Sequence, residues 1–444
     1  DTSKQVNYTI LASNYEEAVT KLGYSDDWDK YSLCEFMYAY FQVFNVAPVI
    51  FVNVLDPTYH KTAVAQAAYP ITDKQAILGD DVILDSVIVR GTEGGTPLVL
   101  GIDYTLGWNR GAKATLNVKS ASLTQVYVAF DKIDPSLVTI ADIVGGYNAF
   151  SKHREGLELI NDAFMTFGKV PGLICAPGWS ENPEVAAVMT AKTEGISGIF
   201  PSLALTDIPS DTANGLEDYT EVSEWKRMNS YTDTHQVDFW PMGILGNKRY
   251  HLSTVAAGVI ASTDNDYAGI PYASPSNHLS KMTGAVTKSG KELLLDLNQV
   301  NLLNENGICT LFNWESGWML WGNECGCFPS NTDPKDRFVN IRRFYNWWAV
   351  KFILTWFQKI DAPMNRRLLE TIEDTENIQI NAYVAMGVLV GTENKIEFRV
   401  NDNPLTDLID GVIKAHTVLT VPPPMRVFEN YLEYKAENLL ALFL

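Results

Sequence analysis

Between Val82 and about Asp134 the apolar residues of this chain recur at every second position, whereas on either side they keep the spacing of helices and fully buried strands. A change of period inside one chain demands a change of architecture. The runs Ile83–Val89, Thr115–Val118 and Thr124–Phe130 read as strands, with turns at Gly91, Gly94-Gly95, Gly107 and Gly111. They predict a small antiparallel β domain inserted into an α/β one, with Asp134-Pro135 and Gly145-Gly146 marking the return.

The flanks carry the α/β grammar. Ser13 is placed to cap a helix over 14–22, Leu33–Phe44 keeps a three-four spacing, and Pro48–Val54 is a continuous apolar run of the parallel, doubly covered kind. Strands are predicted at Leu173–Ala176, Gly198–Leu205 and Val237–Ile244, and helices at Pro183–Glu194 and His251–Ser262. Two β-prone runs, Ile308–Trp314 and Trp318–Trp321, flank Glu315-Ser316-Gly317, which is hairpin chemistry. A long amphipathic helix follows over Arg337–Lys359, with Phe338, Ile341, Phe344, Trp348, Phe352 and Trp356 at helical spacing. The last stretch predicts a helix at Asn365–Thr375 and strands at Val384–Val390, Lys395–Val400 and Val418–Val421, with Gly391–Asn394 as the turn between the first two.

At 444 residues the chain exceeds one compact core, so two to four domains are expected. A net charge of −19 excludes the clustered Lys and Arg that nucleic acid or an anionic membrane requires. That charge serves solubility, or restrains self-assembly until a scaffold exists. No run of 18 apolar residues is present, so no membrane insertion is expected. Five cysteines, an odd and sparse set, fit reduced thiols. Cys325-Gly326-Cys327 has no second ligand pair and is read as structural. The strand-like Tyr8–Leu11 starts almost at once, as though a segment preceded Asp1.

None of the six histidines sits in a Gly-x-Ser-x-Gly or His-Glu-x-x-His context. Ser276 and His278 are the best nucleophile and base candidates, and nothing in the sequence activates either. Gly284–Lys291 misses the phosphate-loop spacing, and Asp264-Asn265-Asp266 misses that of a calcium loop. No catalytic residue, cofactor or metal is therefore expected.

The order Gly307-Ile308-Cys309-Thr310-Leu311-Phe312-Asn313, then Gly317-Trp318-Met319-Leu320-Trp321-Gly322-Asn323, then Phe338-Val339-Asn340-Ile341-Arg342-Arg343 resembles the hallmark region of contractile phage tail sheath proteins. Most members read Trp-Gly-Ala-Arg-Thr after the hairpin. Here Trp321-Gly322-Asn323-Glu324-Cys325 stands, a departure shared by the branch the chain otherwise looks like. Val54–Pro57, Leu84–Val87, Asp103–Thr105, Gly145–Tyr147, Pro171–Trp179 and Asp402–Leu408 also resemble sheath segments, in sheath order.

The resemblance implies a multidomain α/β protein: a subtilisin-like α/β core with an inserted antiparallel β domain and a C-terminal α+β domain. Residues 1–80 and 141–331 would form the core, 81–140 the insert and 332–444 the C-terminal domain with its terminal arm. It implies a structural subunit that polymerises around a tail tube and contracts to drive the tube through a cell envelope. The implied partners are copies of itself, the tube protein, and the baseplate and terminator proteins. The implied place is the virion tail sheath, assembled in the host cytoplasm.

Arg366 and Arg367, adjacent at a helix start, are the candidate tube-facing residues. Their plainer reading is an ion pair with Glu370 or Glu373. Val427, Phe428, Tyr431, Leu439, Leu440, Leu442 and Phe443 are the candidate inter-subunit arm, because so apolar a tail needs cover. A terminal helix over 434–444 docked on its own domain is the alternative. The competing class is an acidic, aromatic-rich hydrolase acting on glycans or cell-wall material.

Overall fold

A computed structural model describes residues 5–111, 113–120 and 122–443. The segment expected ahead of Asp1 lies outside them. The chain forms two compact units, the second made of Lys359–Leu444 with Tyr272–Ser274.

Unit 1 opens with β1 (Thr9–Ala12) and α1 (Tyr15–Leu22). Asn14, not Ser13, caps α1: its side chain accepts from the Glu17 amide, while the Ser13 N–H donates to the Glu17 carboxylate. Next come α2 (Ser32–Tyr38), extended by a π-helical turn over Ala39–Val43, and β2 (Val49–Val52). The Pro48–Val54 run corrects its expectation. β2 pairs antiparallel with β1 in a two-stranded ribbon, Ile10 opposite Phe51. Its apolarity is explained by Phe51, which packs into the main core beside Phe36 and Phe41.

The β module contains β3 (Lys61–Pro70), β4 (Gln75–Gly79), β5 (Ile88–Arg90), β6 (Tyr104–Trp108), β7 (Ala114–Val118) and β8 (Gln125–Ile133). Two three-stranded antiparallel sheets, β3-β8-β5 and β4-β7-β6, close on Val89, Leu116, Val126 and Val128. The module's pairing therefore begins at Lys61, ahead of the boundary placed at residue 81, because β3 runs alongside β8. Most of Ile83–Val89 is not strand: Leu84–Ser86 is a 3-10 turn, fixed by the Ser86 hydroxyl donating to the Ile83 carbonyl.

The chain then runs through α3 (Ile140–Val144), the hairpin β9 (Gly146–Asn148) and β10 (His153–Glu155), and α4 (Ala163–Phe167). The central sheet is assembled from β11 (Ile174–Cys175), α5 (Pro183–Thr193), β12 (Ala204–Asp207), α6 (Tyr219–Met228) and β13 (Gln236–Phe239). Every residue of β12 and β13 is buried, as expected of parallel strands covered on both faces. The predicted strand Val237–Ile244 breaks at Trp240-Pro241 into β13 and β14 (Met242–Leu245), which joins β15 (Lys248–Tyr250).

α7 (Leu252–Asp266) is buried over most of its length. It is followed by β16 (His278–Leu279), β17 (Gly284–Val286), β18 (Glu292–Leu293), α8 (Leu297–Glu305), β19 (Ile308–Trp314) and β20 (Gly317–Trp321). The sheet order is β11-β12-β13-β19-β20-β16, parallel from β11 to β19 and antiparallel beyond. The β19–β20 hairpin turns at Glu315-Ser316, where the sequence places it.

The predicted helix over 337–359 is two: α9 (Pro334–Arg337) and α10 (Val339–Trp356), parted by extended Phe338. Phe338, Ile341, Phe344 and Trp348 are buried as read, but Phe352 and Trp356 are only half-buried. α10 groups with unit 1, so the boundary placed at residue 332 moves to about 359.

Unit 2 contains α11 (Arg366–Ala385), β21 (Lys395–Glu397), α12 (Leu405–Ile409) and β22 (His416–Val418). The expected strand at Val384–Val390 is not formed. α11 continues to Ala385, and Val388 and Leu389 are buried on the turn beyond it. β21 pairs antiparallel with β22 rather than across Gly391–Asn394. Three amides brace the unit. Asn377 donates to the Ile396 carbonyl and accepts its N–H, Asn394 accepts the Thr420 N–H, and Asn403 accepts the Lys414 N–H.

Candidate functional site

The segment after the hairpin is held by side chains that sequence alone does not pair. Gly322 has φ +130, and a Cβ there would fall 2.6 Å from Asn304 Oδ1 and 2.9 Å from the Cys309 Cα, so only glycine fits. Asn323 Nδ2 donates to Asn340 Oδ1 at 2.8 Å. The Arg337 guanidinium donates twice to the buried Glu324 carboxylate. The backbone closes the same contact: Glu324 bridges Phe338, and the Cys325 N–H donates to the Arg337 carbonyl at 2.7 Å. The departure from Ala-Arg-Thr to Asn-Glu-Cys thus carries its own ion pair.

Arg366 and Arg367 occupy the first turn of α11, whose N-cap is Asn365, and both side chains are exposed. Arg366 Nε donates to Glu370 at 2.7 Å, the plainer reading anticipated for it, yet its side chain stays 91% exposed. Two cations at a helix N-terminus stand against the helix dipole. The first turn of α11 holds no acidic residue to offset them.

The chain beyond Val421 has no regular structure until 3-10 turns over Ala436–Phe443. The docked terminal helix weighed for this stretch is not what forms. Tyr431 is 88% and Phe443 87% exposed, and Val427, Phe428, Leu439, Leu440 and Leu442 are exposed as well.

Ser276 and His278 are not brought together as nucleophile and base. Ser276 Oγ accepts from the Gly322 N–H at 2.9 Å, and His278 Nδ1 lies 3.1 Å from the Ser276 carbonyl oxygen. Gly284–Lys291 is the β17–β18 hairpin. Asp264 is engaged by Arg343, Nη1 to Oδ1 at 2.9 Å. Among the described residues no cluster of three metal-ligating side chains occurs, and all five cysteines are free thiols.

A buried polar network escaped the sequence reading. His251 Nδ1 lies 2.7 Å from Glu35 Oε2, its backbone N–H donates to Glu35 Oε1 at 2.7 Å, and its Nε2 faces Glu181 at 3.7 Å. Beside it, Ser253 donates N–H and Oγ–H to Asp207, which also accepts from Ser180 Oγ. Burial alone would lower the His251 pKa, but Glu35, Asp207 and Glu181 overcome it and push it up to about 9. Burial raises Asp207 to about 6. Asp238, also buried and raised to about 6, faces Lys226 at 3.5 Å and accepts from Thr206 and Gln236. Hydroxyl and imidazole are thus held by different carboxylates, which is bracing rather than a proton relay. Only the separation in sequence hid the network, since Glu35 and His251 lie 216 residues apart.

No protein-family model matches the chain. It is 27% identical to the tail sheath protein of Burkholderia phage BcepMu over 413 residues, 89% of this chain and 83% of that one. It is 30% identical over 200 residues to a putative prophage major tail sheath protein of Pseudomonas aeruginosa, spanning 44% of this chain and 48% of that one. The crystal structure of the sheath tail protein from Desulfitobacterium hafniense superposes with a TM-score of 0.52 at 10% identity, covering 90% of this chain and 87% of that one. The fold is therefore the mixed helix-and-sheet, multidomain fold seen there. Neither these relatives nor the placement of Ser276 and His278 supports the hydrolase reading.

Proposed function

We infer that this chain, whose homologues are tail sheath proteins, is the repeating subunit of a contractile tail sheath. Copies stack as helical rings around a tail tube, and their contraction drives the tube through the target envelope. The observation that carries this is the relationship to the BcepMu sheath protein along most of both chains.

The physics of such a subunit is that of a heterologous contact that does not close, which yields a filament instead of a dimer. The contraction energy resides in a metastable extended packing, released when the baseplate triggers it, and no cofactor is required. Unit 1 contains the subtilisin-like core and its inserted β module, and unit 2 supplies the tube side. Arg366 and Arg367 dock on the tube: they are exposed, and the helix dipole disfavours them where they stand. The tail from Val427 to Phe443 is the inter-subunit arm. Its exposed apolar side chains support that reading. Tube, baseplate and terminator proteins are the further partners. Assembly takes place in the host cytoplasm, and the product is a virion tail component.

Negative-stain microscopy of the concentrated protein with its tube protein tests the reading. Helical tubes are expected. A preparation that stays as single particles at every concentration, or that turns over glycan, overturns it.

A further inference from the structure

Beneath the Cys325–Phe328 segment a lysine and an aspartate face each other in a closed box. Lys226 of α6 and Asp238 of β13 lie 3.5 Å apart, Nζ to Oδ2, with side chains only 4% and 0% exposed. Gly326 covers them: a Cβ there would stand 2.9 Å from Asp238 Oδ2, and its N–H donates to the Gln236 carbonyl at 2.7 Å. Gly307 closes another side, where a Cβ would come within 3.3 Å of Lys226 Nζ. Pairs such as Lys61–Asp131 and Lys414–Asp407 have the same functional groups but are open to water.

The two oxygens of Asp238 are held differently. Oδ1 accepts from Thr206 Oγ1 at 2.7 Å and from Gln236 Nε2 at 2.9 Å, whereas Oδ2 accepts no hydrogen bond among the described residues. Lys226 Nζ is aimed by a 2.6 Å hydrogen bond to the Gly326 carbonyl. An amine is thus fixed against a carboxyl that has two donors on one oxygen and none on the other. That is the geometry acyl transfer requires: a positioned nucleophile, a hole for the oxyanion and an oxygen free to leave.

We propose that Lys226 and Asp238 condense into an isopeptide bond that ties α6 to the central sheet. The ammonium first passes a proton to Oδ2, leaving a neutral amine and a neutral carboxyl. The amine lone pair attacks Cγ, and the displaced electron pair moves onto Oδ1 between Thr206 and Gln236. Oδ2 takes a second proton from the attacking nitrogen and leaves as water. One C–N bond forms, one C–O bond breaks, and nothing is oxidised or reduced. Burial gives the step its direction, because two charges that are costly to keep from water are replaced by a neutral amide. It also raises the Asp238 carboxyl to about 6, which brings the neutral form within reach. Chains that have not condensed keep the ion pair, and their Asp238 still titrates.

Mass spectrometry of the intact wild-type chain, purified folded and then unfolded in reducing guanidinium, tests this. The chain should be lighter than its sequence by one water. Proteolysis should then release a branched peptide joining the stretch around Lys226 to that around Asp238, which fixes the assignment without any variant. Lys226→Arg keeps the charge but supplies no amine, and should return the mass its sequence gives. A wild-type chain at full mass overturns the proposal. So does a missing water that maps to a cyclic imide at Asp410-Gly411, or one that persists in Lys226→Arg.

Discussion

Glu324 and Arg337 clasp the hairpin to the long helix with two parallel hydrogen bonds of 2.8 and 2.9 Å. The carboxylate is 1% exposed, while the guanidinium reaches solvent and lies 4.0 Å from the Phe328 ring centre. Planar fork meets planar carboxylate, a geometry lysine cannot reproduce.

Arg337→Met takes both of those hydrogen bonds from a buried carboxylate, at a cost of about 3–5 kcal/mol. The double variant Glu324→Leu/Arg337→Met loses less, because no stranded charge remains. Urea unfolding of both variants checks the order; a double variant worse than the single contradicts it.

Stability should fall as pH rises from about 4 to 9 through three buried groups. His251 titrates at about 9 in the folded chain against an ordinary 6.5, so its contribution is complete below 6.5 and lost through 9. Asp207 and Asp238 titrate at about 6 against 3.8, so the folded state holds their protons more tightly and their contribution disappears as pH passes 6. His251→Gln should flatten the decline above pH 7, and Asp207→Asn should flatten part of it below 6. Melting temperatures across that range measure both.

Gly258 lies on α7 against the Phe44 ring, where an added Cβ would come within 2.2 Å of a ring carbon. Gly258→Ala should therefore destabilise by about 1–3 kcal/mol, despite alanine's better helix propensity. Phe44→Leu in the same background should recover part of the loss, and calorimetry of the pair reads it.

Charge reversal at Arg366 and Arg367 should impair assembly on the tube and leave the melting temperature nearly unchanged, since an exposed pair such as Arg366–Glu370 is screened by solvent. A large drop in stability would assign the arginines a structural role instead.

Deleting 434–444 should leave a folded, monomeric subunit that builds no sheath. Light scattering and microscopy separate this from the converse, a chain that aggregates on its own.

Local signals were legible in the sequence. The β19–β20 turn, Pro183 opening α5 and the buried face of α10 each depend on neighbours within a few residues. What escaped depends on distant ones. The apolarity of Val49–Val52 says that the strand is covered, not that β1, some 40 residues earlier, is its partner. β3 was missed because its alternation is built from alanines and its side chains are largely exposed, leaving no apolar stripe to read. Val384–Val390 is β-branched enough to suggest a strand, but α11 buries Ile380 and carries the helix past it. Of the candidate site, the residues were legible as outliers of charge and apolarity. The polar network around His251 was not, because Glu35 and His251 lie 216 residues apart.

The amide braces of unit 2 give it a chemical lifetime. Asn394 Nδ2 donates to the Val390 and Gly391 carbonyls, and Asn403 Nδ2 donates to those of Arg399 and Lys414. Deamidation replaces the Asn394 nitrogen with oxygen, so a donor becomes an acceptor facing other acceptors and a negative charge enters a buried place. Asn403 is spared, because the nitrogen of Pro404 has no N–H with which to attack the side chain. Particles aged at alkaline pH should thus lose unit 2 first, by the ageing of single side chains, while the core of unit 1 is still intact.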